Sequence, residues 1–168
     1  ERRRFAQLSH EYLIEQLQFT GEETASSKVK LNFNHPVKEL VWVMQDASLV
    51  GSGTSNFWMN FTVSTNENPV TTAKLQLNGH DRFAERAGDY FALVQPYQHH
   101  TNVPVNKGIN VYSFALKPEE HQPSGTLNMS RIDTAVLNLT YNASADRIQV
   151  YATNYNVLRV MSGMGGLA

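Results

Sequence analysis

Val29, Leu31 and Phe33 alternate with Lys30, Asn32 and Asn34. A two-residue period of this kind puts apolar side chains on one face of an extended strand and polar ones on the other. The period recurs along the chain. Leu17 and Phe19 alternate with Gln16 and Gln18, and Phe57, Met59, Phe61 and Val63 form another series. Ala73, Leu75 and Leu77 alternate with Lys74, Gln76 and Asn78. Residues 40–44, LVWVM, are a continuous apolar run of strand length, which predicts burial on both faces with Trp42 in the core. Further strands are predicted over 109–116, 132–141 and 148–155, the last running on toward Val160. Turn residues separate these segments: a loop at 21–27, Pro36, a flexible loop at 51–55, a turn from Asn66 to Pro69, and Asn78-Gly79. Many short strands at near-regular spacing predict an all-β sandwich or barrel.

The period changes once. Phe83, Ala84, Ala87, Tyr90, Phe91 and Val94 are spaced by three and four, which predicts a short helical insert with Asp81 as a cap. Residues 95–107 then read as an irregular loop carrying Pro96, Pro104, His99 and His100. The expected fold is a β-sandwich with a short helical insert between strands. The glycine-rich tail at 163–166 is expected to pack as a tight terminal turn rather than extend a strand.

Composition bounds the chemistry. The chain has 168 residues, enough for one domain with a sizeable core, and 41% are hydrophobic against 17% charged. A net charge of -1 gives no support for direct nucleic-acid binding. There are no cysteines, so disulfides and thiolate metal sites are excluded. No apolar run approaches the ~20 residues of a membrane helix. The basic run Arg2-Arg3-Arg4 reads as a solvated linker or helix end.

No residue pattern marks a catalytic, cofactor or metal site. Adjacent His99 and His100 on a strand would point to opposite faces, and Glu119, Glu120 and His121 lie in a different loop at no ligand spacing. Asp81, Glu85 and Asp89, with Arg82 and Arg86 between them, read as a solvated face with local ion pairs. No serine sits in a nucleophile elbow. Four Asn-x-Ser/Thr sequons, at Asn60, Asn128, Asn138 and Asn142, become glycan acceptors only in a secreted protein. Two other classes stay open on these grounds: a secreted carbohydrate-binding β-sandwich and a metal-dependent jelly-roll enzyme.

Residues 112–133, YSFALKPEEHQPSGTLNMSRID, join two predicted strands through a polar connector with two prolines. This run, together with LNFNHPVKEL at 31–40, Leu77-Asn78-Gly79 with Arg82-Phe83, and NYNVLRVMSGMGGLA at 154–168, resembles the major capsid proteins of large DNA viruses. The resemblance covers most of the chain. It implies a jelly roll, specifically the C-terminal one of two, over residues 12–168, with 1–11 as a linker from a missing N-terminal module. It implies no catalytic residues and no cofactor. It implies a structural subunit of an icosahedral virion, assembled in the host cytoplasm as homotrimeric pseudo-hexagonal capsomers that meet neighbouring capsomers and minor capsid proteins. The long excursion over 90–107 suits such contacts, with Tyr97, His99 and His100 as candidate contact residues. Phe91, Met161 and Met164 are further exposed apolar candidates.

Overall fold

In the computed structural model the described residues are 1–52, 55–63 and 67–168. The loop expected over 51–55 and the turn expected from Asn66 fall partly outside them. The strands are β1 His10–Thr24, β2 Lys28–Leu31, β3 Pro36–Gln45, β4 Val50–Ser52, β5 Ser55–Asn56, β6 Val70–Leu77, β7 His80–Asp81, β8 Arg86–Ala87, β9 Ile109–Ser113, β10 Leu127–Asn128, β11 Ala135–Tyr141, β12 Arg147–Met161 and β13 Met164–Leu167. A helical turn, α1 Arg2–Gln7, precedes them, and α2 is Gln95–His99.

The pairing is nested. β1 pairs with β12, β2 with β11, β3 with β9 and β10, and β6 with β7 and β8, all antiparallel. The two ends of the chain thus run antiparallel to each other and roll up together: β1, β2 and β3, and likewise β10, β11 and β12, alternate between two sheets, while β4 and β5 pair only with each other. The first sheet runs β1-β12-β3-β10, with β9 and β13 attached; the second runs β2-β11-β6-β7, with β8 attached. That is a jelly roll: a β-sandwich, as the two-residue periods predict, of the type the resemblance implies.

The core lies between the sheets. Even-numbered residues of β3 (Leu40, Trp42, Met44) and of β12 (Ile148, Val150, Ala152) face Val29 and Leu31, Ala73 and Leu75, and Leu137 and Leu139 from the second sheet. Trp42 is fully buried, as LVWVM predicts. Its ring lies 5.2 Å from that of Phe91, and Phe83 bridges Phe91 to Tyr112 at 5.5 and 4.7 Å.

Three local expectations fail for identifiable reasons. Phe57, Met59, Phe61 and Val63 do not form a strand. Residues 57–60 make a turn closed by Asn60 N–H donating to the Phe57 carbonyl at 2.9 Å, and Thr62 turns back onto the Asn60 side chain. Alternation specifies a buried face only where a neighbouring strand is available to pair.

The helix lies further along than its spacing predicts. Residues 80–81 and 86–87 pair with β6, so Asp81 is a strand residue and not a cap. Asp81, Glu85 and Asp89 therefore share no helical face; Asp81 pairs with Lys74 at 3.4 Å. A π-helical turn, Tyr90–Val94, runs into α2, and the Gln95 N–H bonds back five residues to Tyr90. Pro96 falls in the first turn of α2, where its missing N–H costs nothing.

The glycine-rich tail does extend the sheet. Ser162 and Gly163 both take positive φ, at 51° and 78°. This two-residue turn lets β13 fold back on the end of β12, pairing Met161 with Met164 and Leu158 with Leu167.

Gly108 is the tightest backbone approach in the loop end of the sandwich. A Cβ there would sit 1.7 Å from the Phe61 carbonyl oxygen. Gly108→Ala must push the 101–108 segment off residues 61–63. Its expected cost is about 2–3 kcal/mol, the upper range for overpacking, read as a fall in the chemical-denaturation midpoint.

Candidate assembly interface

The expected contact residues lie on or just after α2, and they play different parts. Tyr97 is 79% exposed and projects from the helix surface. His99 is less free, since its Nδ1 lies 3.0 Å from the Leu116 carbonyl. His100 is held inside the chain. Its Nε2 lies 2.9 Å from Glu39 on β3 and its Nδ1 lies 3.1 Å from Glu119 in the connector after β9. Bonding to Glu39 holds the His100 imidazolium above the ordinary histidine value; burial opposes this and Glu119 adds to it. Glu119 in turn accepts from the Thr101 backbone N–H at 3.1 Å, which with the Thr101 hydroxyl and His100 keeps its carboxyl below the usual range.

Phe91 must be withdrawn as a surface candidate. It is 0% exposed and packs on Trp42, because the π-helical turn rotates it into the core. Met161 and Met164 are exposed, on the two strands of the terminal hairpin.

Two exposed apolar features enter the periodicity only as strand patterns and not as surfaces. Phe57, Trp58 and Met59 are consecutive and all exposed, Met59 to 78%. The Trp58 carbonyl is anchored by Gln45 Nε2 at 2.9 Å, which fixes the ridge to the end of β3. A signal exists in the sequence: three consecutive large apolar residues between Asn56 and Asn60 cannot all face one core. Contiguous exposed apolar side chains mark interaction surfaces. The second feature is β1, whose outer edge has no strand partner among the described residues. Leu13, Leu17 and Phe19 are exposed along it, Phe19 stacked on Tyr151 at 4.5 Å. A long open edge of this kind is a template for pairing with another chain.

The sequons differ in access. Asn142 is exposed, and its Oδ1 accepts from the Ser144 N–H and hydroxyl. Asn60 makes the same turn with Thr62 but is half-buried. Asn128 accepts from Ser130 N–H at the start of a 3-10 turn. Asn138, on β11, has its amide nitrogen donating to Gln76 at 3.0 Å. Among the described residues no cluster of three or more His, Asp or Glu has the arrangement of a metal site. No helix among them is long and apolar enough to cross a membrane.

The sequence model of the large eukaryotic DNA virus major capsid proteins matches residues 1–166. The chain belongs to this family. It is 58% identical to the major capsid protein of Pyramimonas orientalis virus over the whole chain and 45% of that protein's length. It is 44% identical to the major capsid protein of Paramecium bursaria Chlorella virus 1, again over the whole chain and 50% of that protein. Among solved structures, a quasi-atomic description of the PBCV-1 virus capsid superposes with a TM-score of 0.81 at 40% identity, covering 99% of this chain and 53% of that one. The Faustovirus major capsid protein, at 16% identity and a TM-score of 0.67, shares the fold. The chain thus spans about half the length of the relatives it matches. Family membership accounts for the jelly roll.

Proposed function

We propose that this chain is the C-terminal jelly-roll half of a structural capsid subunit with no enzymatic role, residues 12–168 being the module and 1–11 the link to an N-terminal jelly roll. Three such subunits form a pseudo-hexagonal capsomer. Capsomers meet one another and minor capsid proteins to tile an icosahedral virion shell assembled in the host cytoplasm. The observation that carries this reading is the likeness over 99% of the chain to the PBCV-1 capsid subunit. The exposed surface supports it. Tyr97 stands out from α2, Phe57-Trp58-Met59 form an apolar ridge, and β1 presents an open edge. Homo-oligomer interfaces are apolar at their centre. In this reading Tyr97 and His99 face a neighbouring subunit, while His100 positions the segment that bears them.

The test is solution mass of the full-length parent carrying Tyr97→Glu and His99→Glu. Both side chains lie outside the core, so the melting temperature is expected to move by no more than a few degrees, as for other surface changes. The mass is expected to fall from trimer to monomer. A parent that remains trimeric with both changes places the subunit contacts elsewhere on the module.

A further inference from the structure

The connector 114–126 starts on β3, with the Phe114 and Ala115 N–H groups on the Lys38 carbonyl and Phe114 packed against the core, and its residues 119–121 then reach the face of the first sheet that points away from the core. Leu40, Trp42 and Met44 of β3 and Ile148, Val150 and Ala152 of β12 face inward. Glu39 pairs in register with Thr153, and Glu15 with Tyr155, so Glu15, Tyr155 and Glu39 share the opposite face. The connector is tied to all three. The Tyr155 hydroxyl donates to the His121 carbonyl at 3.0 Å and lies 3.4 Å from that of Glu120. His121 lies 3.4 Å from Glu15. Glu119 reaches Glu39 only through His100, which stands between the two carboxylates with a ring nitrogen on each.

That last tie depends on a proton. Two carboxylates accept and cannot donate, so both contacts are made at once only when both ring nitrogens carry hydrogen. A neutral imidazole keeps one N–H. It stays on Nε2, because Glu39 is the shorter contact and the less exposed carboxylate. Nδ1 then turns a lone pair toward Glu119, which keeps only its Thr101 donors. The other charged groups nearby do not replace the lost donor. Lys117 pairs with Glu120 within the connector at 3.4 Å, and His99 is taken by the Leu116 carbonyl. The strand residues paired with Glu39, namely Ser113 and Thr153, are uncharged.

We propose that His100 is a proton-operated latch that pins the connector 114–126 to β3 and to the end of α2, and that losing one proton frees the Glu119 arm. Its contribution is complete below the unfolded histidine value of about 6.5 and fades as pH rises through the higher folded value. At the acid edge it is lost when Glu119, held below the usual carboxylate range, takes up its proton. The connector is therefore held most firmly between those limits. The latch lies within one chain and stands whether or not Tyr97 meets a second subunit.

Hydrogen exchange of the intact protein, read by mass spectrometry on peptides covering 114–126, tests it. Rates are expressed as protection factors to remove the intrinsic pH dependence of exchange. From about pH 5.5 to about pH 8.5, protection of the connector is expected to fall about fivefold, the size of one ordinary net hydrogen bond, as suits the exposed Glu119, while β11 stays unchanged. His100→Gln keeps a donor and an acceptor but no titrating proton, and its connector is expected to show the low, flat protection of the wild type at alkaline pH. Glu119→Gln, a change at an exposed side chain, is expected to shrink the step and move its midpoint to lower pH. The proposal is overturned by a flat wild-type profile, by a wild-type step persisting in His100→Gln, or by an unaltered step in Glu119→Gln.

Discussion

Trp42→Ala is expected to destabilise the fold by about 3–5 kcal/mol, the range for removing a large buried aromatic without full collapse of the site. Trp42 sits where the two sheets are closest in chemistry. β3 is the strand that β12 covers on one side and β9 on the other, so the backbone around position 42 cannot move to fill a void. The ring packs against Phe91, and Phe91 holds Tyr90 edge-on at 5.1 Å and Phe83 at 5.5 Å. Deleting the indole therefore loosens the anchor of the π-helical turn as well as the sandwich. Trp42→Phe is expected to cost less than half as much. It retains a ring, and the indole N–H it deletes has no acceptor among the described residues, so no hydrogen bond is broken. Chemical denaturation of the two variants beside Leu17→Ala, an exposed site expected to change stability by less than about 0.5 kcal/mol, separates core from surface. A cost below about 1 kcal/mol for Trp42→Ala would mean that the sheets close over the cavity.

Why Trp42 was legible in the sequence, and Phe57 was not, is a matter of what surrounds each. A central strand is buried on both faces, so five apolar residues in a row admit one reading. The alternation at 29–33 and 73–77 is equally direct, because each of those strands has one face on the core and one in solvent. At 57–63 the same alternation misleads, since no strand among the described residues pairs with it. The helical insert shows a second limit. Apolar spacing of three and four from Phe83 to Val94 reflects side chains gathered on the core by two different backbones, a strand pair and a π-helical turn. The tail shows a third: Gly163 weakens a strand but also permits the positive φ that returns the chain on itself, and the pairing capacity of β12 decided between them.

The surface proposed for assembly was legible only in part. Tyr97 follows from the length of the excursion after β8. His100 was grouped with it by adjacency, whereas its partners are 61 and 19 residues away in sequence. Pairings at that separation are set by strand register and have no local pattern. The family resemblance reached further than periodicity here, because long matched runs carry the topology that short patterns lack.

Lys38 shows the same point with a large energetic consequence. The residue is 2% exposed, an unusual place for an ammonium group. Between Thr153–Glu39 and Asn154–Val37 the register of β3 with β12 slips by one residue, leaving Lys38 on the bulge. Its Nζ lies 2.6 Å from Glu15 on β1 and 5.2 Å from the centre of the Tyr155 ring. The ion pair thus staples β1, the open edge strand, to β3 across β12. Glu15→Ala removes the only carboxylate partner among the described residues and leaves the buried ammonium beside the Tyr155 ring. The expected loss is about 3 kcal/mol, the lower end for breaking a buried pair, because Glu15 itself is 33% exposed on its side chain. Lys38→Met with Glu15→Leu replaces both charges by apolar groups of similar length and is expected to fall within about 1 kcal/mol of the wild type, since the cost of burying the ions disappears with their attraction. Denaturation midpoints of Lys38→Met, Glu15→Leu and the double variant close the cycle. Additive losses would show that Glu15 and Lys38 act independently. A double variant more stable than Glu15→Leu alone is the result expected from a buried pair that fixes the position of β1.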